Sequence, residues 1–149
     1  MKTLQELQPL ILEWAKDKDL LKFENAPKQR LKLLEEVGET ARAILKNNTD
    51  EIKDGIGDIF VVLVILNAQI DAILEFDIDG FKESLETDIY EILKNIAYVN
   101  SRSLYSELVL LNDACGILNI DLTECANLAW NEIKDRTGQT INGNFIKNN

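Results

Sequence analysis

The chain has no histidine among its 149 residues. Zinc sites draw on Cys and His, and Cys115 and Cys125 stand ten apart with no Cys-x-x-Cys, so zinc is not expected. Redox iron or manganese centres in helical bundles use Glu-x-x-His pairs, and these too are missing. The two cysteines read as reduced thiols inside helices of a cytoplasmic protein. Only 2 prolines and 7 glycines punctuate the chain, and strand-like alternation is scarce, which favours an all-α fold. Lys and Arg total 16 against 26 Asp and Glu, a net charge of −10. No basic stripe exists, so direct nucleic-acid binding is not expected. A phosphate-bearing partner would need added cations. The longest apolar run, Ile59 to Leu66, is far short of the ~20 residues of a membrane span. The N-terminus lacks the basic start, apolar run and cleavage site of a signal peptide, so no membrane association is expected.

What is present is helical period. At 46% hydrophobic and 28% charged, residues 1–149 read as one globular domain with an ample core. Thr3-Leu-Gln-Glu6 fits a capping box opening helix 1 over 4–17, with Leu4, Leu7, Leu10, Ile11 and Trp14 as its apolar stripe. Pro27 suits the first turn of helix 2, over 27–47. Leu34, Val37, Ala41, Ile44 and Leu45 fall on one side of it, and Lys32, Glu35, Glu36 and Glu39 on the other. Helix 3 begins at a cap on Asn48 or Thr49 and runs to about Leu74. Phe76 to Gly80 breaks the pattern. Helix 4 is expected over 81–99, helix 5 over 102–118, and helix 6 from a cap at Asp121 to near Arg136. The tail from Thr137 to Lys147 reads as an irregular arm.

Helices 2 and 3 carry the chemistry. Glu36 and Glu39 are i, i+3 neighbours, as are Glu51 and Asp54, while Glu35 and Glu39 and Asp54 and Asp58 are i, i+4 pairs. Like charges at these spacings weaken a helix. On helix 3, Glu51, Asp54 and Asp58 share one arc, and that arc continues as Val61 and Ile65. A solvated face would stay polar, whereas this one becomes core. A short connection makes the two helices antiparallel neighbours, so their acids converge and need a counter-charge. All-oxygen ligation suits Mg²⁺ or Mn²⁺. Such an ion orients phosphate oxygens and activates water, and Lys32, Lys134 and Arg136 are cations suited to phosphate. This points to metal-dependent hydrolysis of a nucleotide or other phosphate ester.

At these residues the chain resembles the MazG-like all-α nucleoside triphosphate pyrophosphatases. The resemblance rests on Gln29-Arg-Leu-Lys-Leu-Leu-Glu-Glu-Val-Gly-Glu39, on Gly57-Asp58 leading into Ile59-Phe-Val-Val-Leu, and on Asn131-Glu-Ile-Lys-Asp-Arg136. The strong match spans residues 29–66. It implies a four-helix core within about six helices. It implies hydrolysis of a (deoxy)nucleoside triphosphate to monophosphate and pyrophosphate by a homodimer or homotetramer. Glu36, Glu39, Asp54 and Asp58 are then the metal ligands and Glu35 the base. Lys32, Asn131, Lys134 and Arg136 hold the substrate. The second motif departs from the family, with Gly55 where a glutamate is expected and Glu51 available as an outer ligand. Two other classes compete: a non-catalytic helical nucleotide-binding or regulatory module, and a purely structural, oligomerising bundle.

Overall fold

The element that organises the molecule is the one that is apolar all round. The computed structural model describes residues 1–70, 88–98 and 105–149. Within it α3, Thr49–Gln69, is buried without a break from Ile59 to Asn67. Helix α1 (Leu4–Asp17), α2 (Ala26–Leu45), α5 (Tyr105–Leu118) and α6 (Leu122–Ile133) all pack against it. Helix α4 (Ile89–Ala97) packs on α2 and α5.

Local signals set the helix ends. The Thr3 hydroxyl accepts from Glu6 N–H and the Glu6 carboxylate accepts from Thr3 N–H, the capping box expected of α1. Asn48 caps α3 through Glu51 N–H, and Asp121 caps α6 through Glu124 N–H. Asn47, at φ 52, turns the chain between α2 and α3. That short link sends α3 back antiparallel to α2. The buried amide of Asn25 donates to the carbonyls of Asp19 and Leu20, and Gln69 donates to Leu20 from α3. These bonds hold the α1–α2 connection onto the core.

Two glycines let α3 sit between its neighbours. A Cβ on Gly55 would lie 2.3 Å from Thr40 Oγ1 on α2. A Cβ on Gly57 would lie 2.3 Å from the Cys125 carbonyl on α6. Both are far inside contact distance, so the helices approach where side chains are absent.

Two expectations are corrected. The tail is a β-hairpin rather than an irregular arm: β1 (Gly138–Ile141) pairs antiparallel with β2 (Asn144–Lys147). Its two-residue link is Asn142-Gly143, at φ 51 and 79, which is the I′ turn that matches strand twist. The Asn-Gly pair was the available signal. Leu34 and Leu45, expected on the core side of α2, are exposed. They line an apolar groove of about 650 Å³ between α2 and α4. Helix α3 ends at Gln69, with Ile70 as its cap. The expected break at 76–80, the first turns of helix 4 and the start of helix 5 lie outside the described residues. No described helix is long and apolar enough to cross a membrane.

Candidate active site

Helix α3 delivers Asp58 one turn before the arc becomes apolar, and α2 delivers Glu36 and Glu39 beside it. These three acids, with Lys32 and Arg136, line one cleft of about 400 Å³. Val61 and Ile65, the continuation of the Asp58 arc, line the same cleft and are buried. The switch from acid to apolar along α3 is therefore the passage from the polar to the apolar end of this cleft. Among the described residues, the larger groove between α2 and α4 carries only Lys94 as a charge and offers no comparable chemistry.

The acids are held uncomfortably. Glu36 is 4% exposed, and Lys32 Nζ lies 2.7 Å from Glu36 Oε1 and 2.8 Å from Glu35 Oε2. Burial raises the Glu36 pKa even against that ammonium. For Lys32 burial works against the charge, but its hydrogen bonds to the two glutamates win and raise its pKa. Asp58 is pushed up to about 7, first by burial and then by the charges of Glu36, Asp54 and Glu132, with Arg136 opposing. Asp54 is raised by burial and by Glu132, to which it hydrogen-bonds. Asp58 thus feels three other carboxylates, with Arg136 as the opposing charge, while Lys32 pairs with Glu36.

Not every expected residue reaches the cleft. Glu35 is exposed on the rim, tied to Lys32. Asp54 sits one turn before Asp58, outside the cleft lining, within reach of the charges of Glu132, Arg136 and Glu39. Asn131 and Lys134 are exposed and outside the lining. With Ile133 buried, the 100° step brings Glu132 and Arg136 to one flank of the chain segment and Lys134 to the other. Arg136 forms an ion pair with Glu132.

Residues 28–87 match the model of the MazG nucleotide pyrophosphohydrolase domain. Over these residues the chain is similar to that domain family. Over 77 residues the chain is 48% identical to an uncharacterized 18.2 kDa protein from the rep-hol intergenic region of Haemophilus phage HP1 (strain HP1c1). That stretch covers 50% of this chain and 47% of the phage protein, so the chain spans about half the length of the curated relative it matches. No solved structure gives a significant match.

The structure accounts for the family departure at Gly55. The chain cannot hold a glutamate there as packed, because that position faces Thr40 across the α2–α3 crossing. The acid that does meet Asp54 comes from α6, as Glu132. Sequence reasoning took Asn131 and Lys134 from that motif and passed over Glu132 between them. The i, i+4 spacing of Glu132 and Arg136 was the available signal. The hairpin brings three more lining residues, Asn144, Phe145 and Lys147, which a tail read as irregular could not place.

Proposed function

We propose that the chain hydrolyses a (deoxy)nucleoside triphosphate to the monophosphate and pyrophosphate, with Mg²⁺ as cofactor and Mn²⁺ as a substitute. The supporting observation is the single cleft that joins Glu36, Glu39 and Asp58 to Lys32 and Arg136. Its charged lining holds three acids and, counting Lys147, three cations. A triphosphate adds several negative charges, so divalent ions are needed to balance it. Among the described residues no three acidic side chains converge into a ready-made metal cage. A Mg²⁺ ion there would be held by only one or two of these carboxylates at a time and would complete its shell with water and substrate phosphates.

Glu36, Glu39 and Asp58 are the proposed ligands, with Asp54 outside the lining and Glu51 farther out. When bound, the ion would neutralise phosphate oxygens and lower the pKa of a water. Glu35, exposed on the rim and paired with Lys32, is the proposed base for that water. Arg136 and Lys32 hold phosphate oxygens, whereas Asn131 and Lys134, exposed and outside the cleft lining, are given no contact with the substrate in it. A homodimer or homotetramer is proposed on the family resemblance, and sedimentation of the purified chain tests it.

A panel of ribo- and deoxynucleoside triphosphates with Mg²⁺, assayed separately for pyrophosphate and phosphate, tests the reaction. Pyrophosphate release that is lost in Glu39→Gln is the expected result. Full activity in Glu36→Ala, Glu39→Ala and Asp58→Ala would overturn it. Binding without turnover is the competing reading, favoured by Gly55 in place of the family glutamate. Tight binding by calorimetry with no product over hours would select it.

A further inference from the structure

The apolar end of the cleft has a composition that phosphate chemistry does not require. Trp14 of α1 and Phe145 of β2 meet there edge to face, with centroids 5.2 Å apart and planes at 68°. Val61, Val62 and Ile65 of α3 line the same end. The Trp14 indole N–H is buried and has no hydrogen-bond partner among the described residues. A buried donor left unpaired costs free energy, so such a group calls for a partner that the protein itself does not supply. The hairpin is positioned to make this wall. Thr140, opposite Phe145 in the register, hydrogen-bonds to the Lys18 carbonyl and ties the strands to the end of α1. Gly138 leaves room for the Phe145 ring, since a Cβ there would lie 2.8 Å from its Cζ.

We infer that the C-terminal hairpin and Trp14 form a nucleobase subsite, in which the base displaces the Phe145 edge and offers a ring carbonyl to the Trp14 N–H. The inference rests on the nucleotide reading above and adds to it the part of the substrate that this end receives. The aromatic pair supplies the stacking surface, which any base can use. The indole is donor only, so it satisfies a carbonyl and leaves an amino group unpaired. Bases with a carbonyl at that ring position are favoured over adenine. Lys147, on the same face of the hairpin as Phe145, then stands beside the phosphates.

Inosine and adenosine monophosphates share sugar and phosphate and differ at ring position 6, oxo against amino. Trp130→Phe leaves Trp14 as the one tryptophan of the chain, so its fluorescence reports the subsite directly in the full-length protein. The expected result is saturable quenching by IMP, roughly tenfold weaker binding of AMP from one lost hydrogen bond, and no quenching by inorganic tripolyphosphate. Phe145→Ala should weaken IMP by about tenfold, a typical loss for one stacking partner, with helical circular dichroism unchanged. Trp14→Phe, followed by calorimetry, should bring IMP and AMP to equal affinity. Equal affinity of the two nucleotides before any change at Trp14, unchanged IMP binding in Phe145→Ala, or equal quenching by tripolyphosphate would each overturn the subsite. Pyrophosphate release is read separately. A protein that binds IMP selectively but releases no pyrophosphate keeps the subsite and loses the hydrolase, and one that releases pyrophosphate without discriminating the bases does the reverse.

Discussion

Asp58 stands where stability and chemistry oppose each other. Its carboxyl ionises at about 7, against an ordinary 3.8, because burial and three neighbouring acids disfavour its charge. Between those values the folded state keeps a proton that the unfolded chain has lost. Stability therefore falls as pH rises through this window, and the loss is complete above about pH 7. Glu36 and Asp54 are shifted in the same direction. Metal-free protein should unfold at lower urea at pH 8 than at pH 5. Asp58→Asn should recover stability at pH 8, on the order of a few kcal/mol before solvent screening, and gain little at pH 4. Urea midpoints in EDTA check this, and no gain at pH 8 would sink it. A second expectation concerns roles. Glu35→Gln should lower kcat with little change in Mg²⁺ dependence, whereas Glu36→Gln should also raise the Mg²⁺ needed for half activity. Equal effects of the two on Mg²⁺ dependence would remove the distinction. The two cysteines show the opposite environment to a reactive thiol: burial raises both, Cys125 to about 11.

At the scale of elements, two crossings set the geometry. At Gly55 the obstacle is the tip of a side chain, Thr40 Oγ1, with Thr40 Cα at 3.3 Å. At Gly57 it is backbone, the Cys125 carbonyl. Gly55→Ala should cost about 1–3 kcal/mol by overpacking, and Thr40→Ala should relieve part of it in the double variant. Gly57→Ala should cost more and resist rescue, because α6 itself must shift. Thermal denaturation of the three variants tests the order, and a Gly57→Ala cost below that of Gly55→Ala contradicts it. The hairpin depends on its turn. Gly143, at φ 79, takes a conformation that side chains rarely adopt, so Gly143→Val should loosen the hairpin while leaving the helices intact. Loss of hairpin amide protection with unchanged helical dichroism is the expected signature.

For the whole molecule, the proposed ligands should act as cross-links between elements. The cleft is built from α1, α2, α3, the end of α6 and β2, so a substrate bound there bridges distant parts of the chain. Mg²⁺ with a nucleoside triphosphate at about 100 times its dissociation constant should stabilise the fold by about 2.7 kcal/mol, which for a chain of this size is a rise of roughly 5–10 °C in Tm. A catalytically slowed Glu35→Gln protein allows the scan without turnover. No rise with both ligands present would argue for a bundle without a site.

Helix caps, the central place of α3 and the convergence of α2 and α3 acids were all readable in the chain, because they rest on local hydrogen bonds and on a 3.6-residue period. Thr3, Asn48 and Asp121 cap their own next turns, and the run from Ile59 to Leu66 has no polar face to expose. The Asn142-Gly143 pair carried the hairpin's turn chemistry, yet a tail without helical period reads as an irregular arm, and the hairpin is a correction to that reading. Other features were set only by packing at long range. Gly55 in place of an acid follows from how closely α2 crosses α3. Glu132 meets Asp54 because α6 buries Ile133 and so rotates that glutamate towards α3. Leu34 and Leu45 have helical spacing suited to a core, yet α4 leaves their groove open. Trp14 and Phe145, 131 positions apart in the chain, become neighbours only when the hairpin folds back onto α1. Period and caps depend on residues within a turn of each other; these contacts depend on helix rotation and distance, which the completed core alone determines.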